Sequence, residues 1–195
     1  MPLLPLEQFL FPEDLLSKSS PEGEPGPCWW VLHTRPRAEK SLARKLLQRQ
    51  SPFFLPIRKR MWRRQGRLHC SYVPLFPGYL FLQADRLTVS KTLTTNLVVR
   101  VLPVKDQNQL HEDLRRVHCL IASDAPLAPE ERLQPGALVQ ITSGPFVGLE
   151  GKILRRGKRL HFIVEVRLLQ QGVSVEIESW MIEPQGRPPA LKTID

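Results

Sequence analysis

Leu75-Phe76-Pro77-Gly78-Tyr79-Leu80-Phe81-Leu82-Gln83 is the stretch on which the reading of this chain turns. The last part of this run has the length and apolar composition of a buried strand. Alternate side chains of a strand point to opposite faces, so Tyr79 and Phe81 share one face and Leu80 and Leu82 the other. If the leucines pack under helices, Tyr79 and Phe81 are left for an open apolar pocket.

Toward the N-terminus, Trp29-Trp30-Val31-Leu32-His33 is aromatic and β-branched and is bounded by prolines, which predicts another strand. Pro36 suits the first position of a following helix, in which Ala38, Leu42, Leu46 and Leu47 form an apolar face and Arg37, Lys40, Arg44 and Arg49 the opposite one. Ser51-Pro52 stops that helix. Phe53 to Ile57 reads as a strand with Pro56 at an edge or bulge. Arg58, Lys59, Arg60, Met61, Trp62, Arg63, Arg64, Gln65, Gly66, Arg67, Leu68 and His69 contain six Lys or Arg and no acid. They predict a β-hairpin turning at Gln65-Gly66, with its return strand over Leu68 to Val73.

Toward the C-terminus, a weak helix is expected over Leu87 to Asn96 and a strand over Val98 to Leu102. A capping pattern at Asp106 to Gln109 opens a helix with a stripe of Leu110, Leu114, Val117 and Ile121. This order of elements argues an α+β sandwich over residues 28–123, with an antiparallel sheet and the helices on one face. Residues 124–134, with Pro126 and Pro129 and no periodicity, read as a semi-rigid linker. From residue 135 to 184 the pattern changes to short strands: Leu138 to Thr142, Gly151 to Leu154, Leu160 to Val166 and Val173 to Ile177. So small a set of strands protects its edges by closing into a barrel. Residues 185–195 are expected to be flexible.

Composition narrows the function. Residues 1–27 hold six prolines, and Glu7, Glu13, Asp14, Glu22 and Glu24 face the single cation Lys18, so a disordered acidic tail is expected there, with Leu3 to Leu16 as an alternative docking segment. The net charge of +9 therefore concentrates in the rest of the chain and favours nucleic acid or an acidic protein surface. Cys28, Cys70 and Cys119 form no C-x-x-C pair, and no zinc site or disulfide framework is suggested. The five histidines make no metal-binding pair, and neither a G-x-S-x-G elbow nor a phosphate loop occurs, so an enzyme is not expected, nor a cofactor or a metal. With no apolar run of spanning length and no secretory opening, the expectation is a cytoplasmic protein with no membrane partner.

The run Leu75 to Gln83 resembles the F-P-G-Y strand of the N-terminal (NGN) domain of the NusG/RfaH family. Thr142-Ser143-Gly144-Pro145-Phe146-Val147-Gly148-Leu149-Glu150-Gly151-Lys152-Ile153 is similar to the family's KOW motif. Both occur in the family's order after Trp29 to Leu32, and the resemblance covers Cys28 to Pro184. It implies an NGN-like domain linked to a small SH3-like KOW barrel, in a monomeric transcription elongation and antitermination factor.

The resemblance also implies partners residue by residue. His33, Phe76, Tyr79 and Phe81 map to a pocket that grips the clamp helices of RNA polymerase, with His33 and Phe76 at its rim. Arg58, Lys59, Arg60, Trp62, Arg63, Arg64 and Arg67 map to a hairpin near DNA at the transcription bubble, where an aromatic amid arginines suits base stacking with phosphate neutralisation. Lys91, Thr92 and Thr94 fall where RfaH-like members touch a second polymerase element. Leu133 and Phe146 map to the edge of the KOW domain that meets a ribosomal protein or Rho. Plainer readings stand beside these: the hairpin as a solvated charged face, Phe146 as barrel core, and Arg155, Arg156, Lys158 and Arg159 as either an RNA site or a solubilising turn. The competing class of function is a KOW-type RNA-binding protein of ribosome assembly or translation. Departures at Trp30 and His33 point to a specialised paralogue.

Overall fold

The computed structural model describes residues 8–17, 27–131, 136–157, 159–183 and 193–194. Two compact units divide the chain, Met1–His111 and Glu112–Asp195.

The first unit is built on β1 (Leu10–Phe11), β2 (Cys28–Thr34), α1 (Glu39–Gln48), β3 (Phe53–Phe54), β4 (Ile57–Arg64), β5 (Arg67–Pro74), β6 (Tyr79–Ala84), α2 (Arg86–Leu93), β7 (Val98–Leu102) and the first turn of α3 (Gln107–Ala122). Its antiparallel sheet has the order β1-β3-β6-β2-β7, while β4 and β5 form a separate two-stranded ribbon. Pro56 does more than mark an edge: with Leu55 it breaks the expected strand into β3 and β4. Pro36 lies in the turn before α1, which starts three residues later than its proline suggests, with Ala38 at the N-cap.

β2 and β6 pair in a register that sets Val31 against Phe81, Leu32 against Leu80 and His33 against Tyr79. One face of the sheet buries Leu32, Leu80, Leu82 and Phe53 against Leu42, Ala43 and Leu46 of α1. That is the arrangement the alternation in Leu80 to Leu82 requires. The other face is not bare. Trp29 lies on it, 1% exposed, and is bound by the start of α3: Gln107 Oε1 accepts from Trp29 N at 2.6 Å, and the Trp29 indole donates to His111 Nδ1 at 3.3 Å. The expectation of helices on one face therefore fails at α3, and Phe81 on this second face is 0% exposed.

Residues 8–17 are not the expected disordered tail. Leu10 and Phe11 pair with Phe54 and Phe53, Leu55 N donates to Phe9 O at 2.7 Å, and Leu15 and Leu16 are buried. Average composition missed this because the few apolar residues of the segment are clustered where the β3 edge can bury them.

The second unit holds the rest of α3, β8 (Leu127–Glu130), β9 (Ala137–Ile141), β10 (Glu150–Arg156), β11 (Arg159–Val166), β12 (Gln171–Ile177), β13 (Ile182–Glu183) and β14 (Thr193–Ile194). Among the described residues the ladder runs β13-β9-β10-β11-β12-β8, with β14 added to β10. Two expectations are corrected. The supposed linker contributes β8, held by antiparallel pairing of Leu127 to Glu130 with Val175 to Gly172. Part of the supposedly flexible C-terminus, Thr193 and Ile194, pairs with Arg155 and Arg156. α3 also crosses the expected boundary: the buried Asp113 accepts from Arg167 N at 3.1 Å within this unit. Its inner stripe uses Leu120 where Ile121 was expected.

Gly151 allows β10 to lie close on β11, because a Cβ there would stand 2.5 Å from Ile163 O and 2.7 Å from the Phe162 ring. Gly151→Ala is expected to lower stability by about 1–3 kcal/mol, the scale of core overpacking, measured by urea denaturation. Phe81→Ser is expected to cost about 3–5 kcal/mol, as truncation of a buried Phe does, seen as a lowered unfolding midpoint whether or not any partner is present.

Candidate functional site

The register of β2 and β6 brings His33 and Tyr79 face to face, with ring centroids 5.2 Å apart and planes tilted by 45°. Both are half-buried and keep open surface. Phe81 packs edge-on to Phe76 at 6.3 Å and beside Phe54 at 6.4 Å, and Phe76 is 1% exposed. The open apolar pocket expected from the sequence is thus corrected: His33 and Tyr79 form an accessible rim, and Phe76 and Phe81 lie beneath the surface. Pairing of Phe54 with Phe81 across β3 and β6 supplies aromatic neighbours that strand alternation alone could not reveal.

The hairpin β4–β5 is formed as expected. Gln65 and Gly66, both at positive φ (50° and 73°), make a two-residue loop of the type I′ class that matches strand twist. Register puts Arg58 opposite Val73, Arg60 opposite Ser71 and Trp62 opposite His69 on one face of the ribbon. Trp62, 40% exposed, stacks on His69 at 5.5 Å with an interplanar angle of 16°, giving a flat aromatic platform. Lys59, Met61 and Arg63 share the opposite face with Leu68, Cys70 and Tyr72. Burial and the like charge of Arg60 hold the Arg58 guanidinium below its ordinary range. An anion set beside this pair relieves that repulsion. Lys59, Arg60, Arg63 and Arg67 are exposed, whereas the Arg64 side chain is outside the described residues.

Elsewhere the predicted residues separate. Arg44, Lys45 and Arg49 are exposed on α1, and Arg49 donates to Lys91 O at 3.0 Å. Lys91 and Thr94 are exposed, but Thr92 is 1% exposed and donates its hydroxyl to Thr88 O, so it presents nothing to a partner. Phe146 is 4% exposed, which is the core reading rather than a projecting aromatic. The loop folds it inward through Gly148 N to Ile141 O at 2.8 Å and Leu149 N to Phe146 O at 3.0 Å. Among the described residues of the second unit the exposed large apolar side chains are Leu138, Val147, Leu168 and Trp180, of which Val147 flanks Phe146 in the same loop. For Trp180, a tryptophan in the polar run Glu178-Ser179-Trp180 was the available signal. Leu133 is outside the described residues.

The arginines of the β10–β11 turn are largely engaged. Arg156 makes two hydrogen bonds to Glu130 at 3.0 and 2.9 Å, and Arg159 meets Glu176 at 2.7 Å. Burial pushes the Glu130 carboxyl up, but the bonds from Arg156 and Ser174 outweigh it and leave the group below its ordinary value. Among the described residues no group of three His, Cys, Asp or Glu side chains could hold a metal ion, and no helix is long and apolar enough to cross a membrane.

Residues 27–115 match the family model described as "Transcription termination factor nusG". No curated protein matches the chain at the significance required. Among solved structures it is similar to one described as "Domain interaction in Thermotoga maritima NusG", at 19% identity over 80% of this chain and 96% of that one, with a TM-score of 0.46. A likeness of that size carries no argument about function. The family match spans the β2–β6 pair, the His33–Tyr79 rim and the whole basic hairpin, so it is over residues 27–115 that this chain is similar to the NusG family.

Proposed function

We propose that this chain is a transcription elongation and antitermination factor that binds the clamp helices of RNA polymerase through the rim of His33 and Tyr79. The observation that carries the reading is the family match over residues 27–115, which takes in both the rim and the hairpin. Phe76 and Phe81 act from below, as the floor that holds the rim in place. The hairpin faces DNA near the transcription bubble, with Trp62 on its His69 support stacking an unpaired base while Arg58 and Arg60 neutralise phosphates.

The factor makes and breaks no bond. A ligand that binds the closed, pause-resistant polymerase better than the open form shifts the population by its difference in affinity, of the order of 1–3 kcal/mol. The second unit joins a further partner, a ribosomal protein or Rho, and the exposed Val147 and Trp180 are better placed for it than the buried Phe146. The departures at Trp30 and His33 favour a specialised paralogue. Ion pairing of Arg156 and Arg159 speaks against the competing reading of a KOW-type RNA-binding protein, since those cations already have carboxylate partners.

Pull-down of purified core RNA polymerase by the full chain tests the first contact. Tyr79→Ala, at a half-exposed site, is expected to lose polymerase while keeping its unfolding midpoint; retention of polymerase by this variant would sink the rim as a contact. For the hairpin, fluorescence anisotropy on a single-stranded oligonucleotide separates two effects. Trp62→Ala is expected to weaken binding by about 1–3 kcal/mol with an unchanged salt slope. Arg60→Ala is expected to flatten the slope of log affinity against log salt by about 0.7. Wild-type behaviour of both variants would leave the hairpin a merely solvated face.

A further inference from the structure

The turn from Phe76 to Tyr79 presents the rim, and its backbone is tied on three sides. Tyr79 N donates to Phe76 O at 3.1 Å, and Gly78 O accepts from Thr34 N at 2.8 Å. The third tie comes from a side chain 39 residues away along the chain: Gly78 N donates to Glu39 Oε1 at 2.7 Å. Glu39 is the first residue of α1 and only 6% exposed. Its neighbours in sequence include Arg35, Arg37 and Lys40, which would offer a surface carboxylate ionic partners in water. Instead this carboxylate is seated inside on a neutral amide. Burying a charge is costly unless it is hydrogen-bonded, and the N-terminal end of α1 offsets part of that cost through its aligned peptide dipoles.

Gly78 itself is at φ +83°, and a Cβ built on it would lie 3.5 Å from Cδ2 and Nε2 of His33, so the His33 ring rests beside the turn that Glu39 holds. Rotation of the Gly78 peptide would therefore move both members of the His33–Tyr79 pair.

We propose that Glu39 is a positioning residue for the rim: its carboxylate couples the start of α1 to the Gly78 peptide and so sets where His33 and Tyr79 meet a partner. This rests on the reading that the rim binds polymerase. It adds a residue that lies outside the rim and acts only through the oxygen it offers.

The test uses the full chain with purified core RNA polymerase, measuring affinity together with the Gly78 amide resonance in the free protein. Glu39→Ala is expected to weaken binding about tenfold and to shift the Gly78 amide, since the acceptor oxygen that holds this amide is lost. Glu39→Gln keeps an oxygen at the same reach and is expected to restore most of the affinity and the resonance. Glu39→Asp keeps the charge but withdraws the oxygen by one methylene; it is expected to behave like Glu39→Ala, and it serves where the alanine variant does not fold. Normal binding by Glu39→Ala or Glu39→Asp, beside loss of binding by Tyr79→Ala, overturns the positioning role and leaves the rim standing. Normal affinity for Glu39→Asp with loss for Glu39→Gln overturns it too, because charge and not reach would then be the property used. Normal binding by Tyr79→Ala removes the rim, and the proposal falls with it.

Discussion

The pairing of β2 with β6 is the constraint from which the first unit follows. With Leu32 opposite Leu80 and Val31 opposite Phe81, the side-chain period of two assigns each residue a face. A slip of one residue would turn Leu80 and Leu82 away from α1 and leave its Leu42 and Leu46 without partners. The same register puts His33 beside Tyr79 on the face that carries Trp29 and Phe81. Core and candidate contact surface are thus two consequences of one ladder. Substitution at either end of it acts on both.

Each unit is closed by a polar contact that reaches across its elements. In the first, Glu39 ties α1 to the turn before β6, while Gln107 and His111 tie the start of α3 to Trp29. In the second, Glu130 takes two bonds from Arg156 and one from the Ser174 hydroxyl at 2.6 Å, so β8 is fixed by side chains as well as by its ladder. In such partly dry places a hydrogen bond to a charge is stronger than between neutral groups. These contacts decide which segments count as domain and which as linker.

The hairpin carries no acidic residue within its own sequence from Arg58 to His69. Arg58 and Arg60 share a face with Trp62 and His69 because they alternate along β4 and pair across to β5. The result is charge and aromatic surface side by side, a combination that suits a phosphate chain with accessible bases. In the β10–β11 turn, arginines as dense in the sequence meet Glu130 and Glu176 and are largely engaged. Equal local composition thus leads to different surfaces, depending on what the fold brings opposite.

Much was legible in the sequence because it depends on near neighbours. The Tyr79 to Leu82 alternation, the Gln65-Gly66 turn, Val98 to Leu102 as a strand and the start of α3 at the Asp106 cap are set by backbone preferences acting within a few residues. The close approach of β10 and β11 likewise follows from a glycine that can be read directly. Tertiary structure alone decided that Phe54 and Phe76 flank Phe81, that Phe146 turns inward, that Leu10 and Phe11 extend the sheet and that Leu127 to Glu130 form a strand. Each of these depends on a partner distant in the chain. Burial is a property of what lies opposite a residue, and periodicity names the face that must be covered without naming the cover.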